Sequence, residues 1–455
     1  MYALMVLIFV LGYLCIAFEH PLKIDKAASA LLTAVLTWTV LVLGADSILP
    51  LLESTSAEHS RQVVGELRHH LGEISEILFF LLGAMTIVEL IDAHDGFKVI
   101  TERIRTNKRV HLLWLIGFIT FFLSAVLDNL TTTIVMVSLL RKLIDDRQER
   151  WFYAGIVVIA ANSGGAWSPI GDVTTTMLWI GNQISASGIV SQLFLPSLVC
   201  LLVPLILLSF KLKGEAVRPQ SLDADEVRGE PTTRFERNLV FALGLGGLLF
   251  VPVFKTLTQL PPYMGILFSL GVLWVVTEVI HRGKNAEDRH PLSVVGVLRR
   301  IDTPSVLFFL GILLAVSSLA SAGHLTQVAI ALKDNLGNVY AINLAIGLLS
   351  AVVDNVPLVA GAMKMYPLVS PETLASAGSD AGWLGHFVVD GQFWEFLAYC
   401  AGTGGSCLII GSAAGVAAMG MEKINFIWYL KKISLLALFG YLAGALTYIG
   451  IASLP

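Results

Sequence analysis

Charge is scarce in this chain. Asp, Glu, Lys and Arg together make 14% of its 455 residues, where a soluble domain carries about a quarter. That excludes a sizeable soluble domain. Apolar runs of membrane-spanning length recur from end to end, so the sequence reads as a polytopic helical membrane protein. Cysteine is scarce too. Cys15, Cys200, Cys400 and Cys407 all fall in apolar stretches without metal-like spacing and read as small packing residues. The net charge of -4 says little about partners, because nearly all charge lies in loops. Neither a nucleic-acid partner nor a cofactor is expected. The first apolar run, 2–18, lacks both a basic n-region and a small-residue cleavage site. Its cations, Lys23 and Lys26, follow it, which is the pattern of a transmembrane helix with its N-terminus outside.

Spans are expected at about 2–18, 27–44, 74–92, 151–180, 189–210, 238–256, 263–281, 304–321, 393–421 and 426–449. Two further apolar stretches, 110–140 and 339–366, are too short to cross twice, which needs about 40 residues. The first is basic on both flanks, so it enters and leaves on one side as a re-entrant helical hairpin. Each holds the same phrase near its middle: S-A-V-L-D-N at 124–129 and S-A-V-V-D-N at 350–355. Asp128-Asn129 and Asp354-Asn355 are then hairpin tips. A charged stretch, 93–109, with Lys98, Arg103, Arg105, Lys108 and Arg109, reads as an interfacial helix, and 322–337 as an amphipathic one.

Basic loops at 93–109, 141–150, 211–237 and 282–303 belong in the cytoplasm. Loops 181–188, 257–262 and 367–392 belong outside; the last holds no Lys or Arg. Both termini then lie outside and the hairpins enter from opposite faces. The expected fold is all-α and polytopic, an inverted repeat of about five spans plus one re-entrant hairpin each, with discontinuous helices at the ion sites. Residues 1–210 form the first repeat, 211–237 a cytoplasmic linker and 238–455 the second repeat. Residues 162–174, N-S-G-G-A-W-S-P-I-G-D-V-T, align without a gap to 402–414, G-T-G-G-S-C-L-I-I-G-S-A-A. These glycine-rich segments predict breaks within 151–180 and 393–421, tolerated where the freed backbone lines a cavity or is buried in protein.

Carboxylate, amide, hydroxyl and carbonyl oxygens replace the hydration shell of a small hard cation. In the first half the candidates are Asp128, Asn129, Thr131, Thr132, Asn162, Ser163, Asp172, Thr174 and Thr175. In the second they are Asp354, Asn355, Thr403, Ser406 and Ser412, with Ser350 beside them. The Na+ ligands are expected among Asp128, Asn129, Asn162, Asp172, Asp354 and Asn355. Ser412 stands where the first half has Asp172, so the two sites are unequal. Desolvation favours the protonated form of a carboxylate and a bound cation the ionised form. Competition of Na+ and H+ for Asp128, Asp172 and Asp354 is sufficient for exchange. Blander roles fall to other residues. Thr133 and Thr176 are expected to bond back to their own backbone, and Gly415, Ala417 and Ala418 to pack helices. Glu89, Asp92, His94 and Asp95 read as interfacial. His59, His69 and His70 read as a solvated outer loop within 45–73, and Lys364 as a snorkelling lysine.

The phrases D-N-L-T-T-T at 128–133, A-N-S-G-G-A-W-S-P-I-G-D-V-T-T-T-M at 161–177 and V-D-N-V-P-L at 353–358 resemble NhaD-type sodium/proton antiporters of the ion transporter superfamily. The resemblance implies Na+ or Li+ export in exchange for protons. It also implies paired hairpins facing broken helices, scaffold and transport domains, a homodimer, and a bacterial inner membrane. The superfamily's dicarboxylate carriers have Ser-Asn-Thr at their hairpin tips. The Asp-Asn tips here favour a cation bound alone. Sodium-coupled anion transport is the alternative; it wants a cation near the tips, and no Lys or Arg is adjacent to them in sequence. An intramembrane aspartyl protease is disfavoured, because Pro169 replaces the first glycine of its G-x-G-D signature, and an enzyme is not expected.

Overall fold

The computed structural model describes residues 1–48, 56–101, 104, 106–217 and 232–453. These are nearly all helical, with one isolated bridge, Lys108–Glu215, as the sole strand-like pairing among them. The first half runs α1 (Tyr2–Ala17), α2 (Lys26–Leu43), α3 (Ser56–Ala93), α4 (Arg109–Leu127), α5 (Asn129–Leu143), α6 (Arg147–Ala166), α7 (Val173–Ile180) and α8 (Ala186–Ser209). The second runs α9 (Arg234–Thr258), α10 (Pro262–Ile280), α11 (Thr303–Ser321), α12 (His324–Leu336), α13 (Val339–Leu349), α14 (Asn355–Met365), α15 (Gln392–Gly404), α16 (Ala413–Glu422) and α17 (Ser434–Ala452). Among the described residues, eight helices are long and apolar enough to cross a membrane.

Both short apolar stretches are hairpins. At Asp128 the backbone adopts φ 79° and ψ 159°, a positive-φ conformation outside the left-handed helical region and ordinarily reserved for glycine. The chain reverses there, and α4 packs back on α5. The two ends of this hairpin meet the same short segment: Arg109 N–H donates to Gly214 O and Asp145 N–H to Val217 O. The ends of the second hairpin likewise converge, with Tyr340 donating to Gln392 Oε1 and Tyr366 stacking on Phe387 beside it. The basic segments also cluster. Arg141 and Arg150 hold the buried Glu422 at 2.7 and 3.0 Å, and Arg147 reaches the Glu422 carbonyl. At the opposite end Asp390 bonds to Gln183 and Ser185, joining the uncharged loop to the cation-free one.

The breaks fall at Trp167–Asp172 and Gly405–Ser412. Each hairpin lies almost backbone to backbone on a broken helix. A Cβ at Gly164 would stand 2.2 Å from Phe121 O, and one at Gly404 2.0 Å from Gly347 O. Ser124 donates to Ala161 O at 2.6 Å and Ser350 to Ala401 O at 2.9 Å, the same bond in each half. Helices α2, α3, α9, α10 and α11 pack together as one group. The hairpins and broken helices form another, and the groups meet where α3 and α11 face α7 and α14.

Several expectations are corrected. Residues 56–73 are not a solvated loop: α3 is one helix of 38 residues, about 57 Å long at the standard rise. It can extend past the bilayer because its first turns carry charge. His59 is buried against Asp46, while His70 and Lys364 share Glu73, the lysine at 2.7 Å. Lys364 is thus ion-paired rather than snorkelling. In 93–109 the described residues hold only the short helix Lys98–Thr101 after a turn at Asp95; Arg103 and Arg105 lie outside the described residues. Most of the linker also lies outside them. The final span begins at Ser434, because the helix ahead of it stops at Lys432.

Two histidines meet just past the ends of α3 and α10. His94 Nδ1 is 2.7 Å from Leu90 O and therefore donates. Its Nε2 then accepts from His281 Nε2, 2.8 Å away. That leaves His281 Nδ1 buried without a hydrogen bond, 3.8 Å from Glu236 Oε1. Burial, with Lys284 and His94 alongside, pushes the His281 imidazole down to about 4. Burial also lowers His94.

Two outcomes follow from this packing. Gly404→Ala forces a Cβ onto backbone and is expected to destabilise by about 1–3 kcal/mol. Gly420→Ala, with open space around it, should be neutral or stabilising by up to about 1 kcal/mol. Thermal unfolding in detergent compares them. His281 is neutral when folded, whereas an unfolded histidine protonates near pH 6.5. The stability that neutral His281 contributes is therefore complete above pH 6.5 and falls progressively toward pH 4. His281→Gln should flatten that part of the melting-temperature profile; an unchanged profile would remove His281 as its source.

Candidate functional site

Four half-helices begin close to one another, and each is capped by its own polar side chain. Asp128 caps α5: its Oδ1 accepts from Thr131 N–H and its Oδ2 from Thr131 Oγ1, both at 2.8 Å. Asp172 caps α7, with Oδ1 accepting from Thr174 N–H at 2.8 Å and Oγ1 at 2.7 Å. Asp354 caps α14, accepting from Val356 N–H at 3.1 Å. Ser412 caps α16, accepting from Gly415 N–H at 3.2 Å. A helix break at this depth leaves backbone donors that need acceptors. The residue types at the breaks supply them.

A buried amide chain links the caps. Asn129 Nδ2 donates to Asp172 Oδ2 at 2.6 Å and to Asn162 Oδ1 at 3.0 Å. Asn162 Nδ2 donates in turn to Ser406 Oγ and Ser412 Oγ, both at 2.9 Å. One network therefore runs from the first hairpin through both broken helices.

Asp128, Asn129, Thr131, Asp172, Asp354 and Asn355 line one cavity of about 70 Å³. The two clusters expected from the sequence are thus one site. The other candidates stand behind or beside it. Asn162, Ser406 and Ser412 are joined to each other. Ser163 and Thr403 bond back to Ile159 O and Tyr399 O. Thr174 and Thr175 serve Asp172, and Ser350 ties its hairpin down. Thr132 is buried, and its hydroxyl, like that of Thr133, has no hydrogen-bond partner. Thr133 therefore departs from its expected back-bond, whereas Thr176 does bond to backbone, at Pro169 O.

One residue was missed. Lys26 lines the same cavity, although it lies about a hundred residues before the first tip. No local signal joins it to them; only the packing of α2 on α11 brings it there. The expectation of no cation near the tips holds in sequence and fails in space.

Helix α3 lines three cavities in succession. Residues 80–85 face the middle one. A cavity of about 330 Å³ shares Met85, Leu130 and Thr131 with it and widens past Glu89, Asp92, Asp95, Lys142 and Arg300 toward the basic-loop end. Glu89, Asp92 and Asp95 are therefore vestibule residues. Another of about 490 Å³, at the opposite end, is lined by His69, Glu73, Asn182 and Lys364 and shares no lining residue with the middle one. Phe80 and Val356, each 2% exposed, belong to the lining of the middle cavity alone.

The citrate transporter family, CitMHS, matches residues 13–383. Over 99% of the chain it is 51% identical to sodium/proton antiporter 1 of Arabidopsis thaliana, covering 72% of that protein. Identity to sodium/proton antiporter 2 of the same plant is 49% over 99% of the chain and all of that protein. The Na+/H+ antiporter NhaD of Vibrio cholerae is 30% identical over 97% of the chain and 90% of its own length. The crystal structure of the Alcanivorax borkumensis YdaH transporter, described as having an unusual topology, superposes with TM-score 0.58 at 13% identity, over 93% of this chain and 99% of that one. That likeness concerns the fold. On sequence, the chain is a membrane transporter that belongs to the citrate transporter family and, within it, to the NhaD-type sodium/proton antiporters.

Proposed function

We propose that this protein exchanges Na+ or Li+ for protons at the cavity formed by Asp128, Asp172 and Asp354, with Asn129 and Asn355 as further ligands. One observation carries the reading: all three carboxylates cap half-helices that converge on that cavity. A bare helix N-terminus attracts anions. Here each of those three positions already holds the protein's own carboxylate, and the oxygens lining the cavity suit a small cation. A proton and Na+ compete for the same oxygens, so loading one displaces the other. The basic-loop end is cytoplasmic on this reading, and the cation enters past Glu89 and Asp92. We place the protein, multi-pass and as a homodimer, in an energised membrane, the bacterial inner membrane being the case implied by the sequence resemblance, with both termini outside. Residues 1–210 and 238–455 are the two inverted repeats and 211–237 the cytoplasmic linker.

A second reading, sodium-coupled transport of an anion, draws on the family's description and on Lys26 in the cavity. Three carboxylates against one ammonium leave the lining acidic, which repels a dianion.

Proton movement in proteoliposomes separates the two. Na+ or Li+ alone should drive it; a requirement for citrate or a dicarboxylate would sink the antiport reading. Asp128→Asn, Asp172→Asn and Asp354→Asn should each slow exchange about ten- to a hundredfold, the range for losing a charge-assisted contact. Normal turnover in all three would remove the carboxylates from the mechanism. Asn162, expected among the Na+ ligands, also links the halves. Asn162→Ala leaves buried partners unpaired and should destabilise by about 1–3 kcal/mol, seen as a lower melting temperature. An unchanged melting temperature would refute the link.

A further inference from the structure

We propose that Lys26 is a specificity-determining residue that excludes divalent cations from the aspartate cavity, an inference that rests on the reading of that cavity as a Na+ site. Three carboxylates around one small space would attract Ca2+ or Mg2+ more strongly than Na+, because the attraction scales with the ion's charge. Hard divalent cations also prefer all-oxygen sites. Something in the lining has to offset this for a monovalent exchanger. Lys26 is the one cation among the described residues lining the cavity.

The placement of Lys26 is not explained by its own helix. It is the first residue of α2, where the macrodipole disfavours a cation. Its backbone N–H is tied to Glu19 Oε1 at 3.3 Å, and the neighbouring Asp25 caps the helix through Ala27 N–H at 2.7 Å. The side chain is half-buried, and its ammonium stands over the Phe308 ring, 4.7 Å from the centroid. Among the described residues it forms no ion pair. Lys98, by contrast, is held by Asp95 and Arg300 faces Glu89, both in the outer vestibule. A ring face holds a cation without neutralising it. The arrangement keeps a positive charge at the cavity without pairing it to any of the three carboxylates.

A unit positive charge repels Ca2+ twice as strongly as Na+ at the same position. Its removal therefore has a signature: the gain in Ca2+ affinity is the square of the gain in Na+ affinity. In proteoliposomes, Lys26→Gln should lower the apparent KM for Na+ about threefold and the constant for inhibition by Ca2+ about tenfold. Lys26→Arg should restore both. Ser305 also lines the cavity, one helical turn before the Phe308 ring that holds the ammonium, and Ser305→Glu offers a second route if Lys26→Gln does not fold. It neutralises the ammonium in place and should also strengthen Ca2+ inhibition more than Na+ affinity. If wild-type protein moves no protons with Na+, the sodium-site reading itself fails. If wild-type exchange is normal and the ratio of Ca2+ inhibition to Na+ KM is unchanged in Lys26→Gln, or in Ser305→Glu where Lys26→Gln does not fold, the role of Lys26 is overturned. Equal shifts for Na+ and Ca2+, or no rescue by arginine, would likewise overturn it, because a merely structural lysine would not sort ions by charge.

Discussion

The structure depends on a backbone constraint. A helix interrupted inside a membrane protein exposes amide donors that neither lipid nor neighbouring apolar side chains can satisfy. Here the four interruptions at Asp128, Asp172, Asp354 and Ser412 are closed by the side chain at the break itself. Three of the four caps are carboxylates that also line the central cavity. The same atoms that make the breaks tolerable thus provide the cavity's oxygens. Chemistry and fold are coupled at these residues. A variant that removes the charge keeps part of the cap, while one that removes the side chain leaves buried donors exposed.

Close packing keeps those caps together. The hairpins approach the broken helices so nearly that glycine is required at Gly164 and Gly404, and matching serines, Ser124 and Ser350, fasten the contact in both halves. The symmetry ends at Asn162, whose counterpart is Gly402. The missing side chain at Gly402 accompanies an amide that reaches Ser406 and Ser412 across the halves. The carboxylate at Asp172 against the hydroxyl at Ser412 is the second inequality. Together they make the first half the more acidic and the crossing point amide-lined, so the two repeats contribute different chemistry to one cavity.

The cavity adjoins the vestibule at the basic-loop end and shares no lining residue with the opposite one. Glu73 and Lys364 join α3 to the arm of the second hairpin on that opposite side. An ion pair thus ties the two helical groups together there.

Much of this was readable along the chain. Apolar run length located most of the spans, the short runs the hairpins, and the doubled D-N phrase the tips. Glycine, proline and small polar residues marked both breaks within a few positions, because a helix that loses its own hydrogen bonds must be rebuilt from such residues. The histidines of 56–73 were misread as loop because charge in the first turns of α3 masks its helical continuity. Only the tertiary structure decided which polar residues face the cavity. Ser163, Thr403 and Ser350 look like ligands in sequence and bond backbone in space. Lys26 looks like a flanking charge and lines the site. Periodicity and composition determine whether a segment is a helix and where it breaks, since those depend on neighbours within a few residues. Which side chains share a cavity depends on helices packed from distant parts of the chain, and no local pattern carries that information.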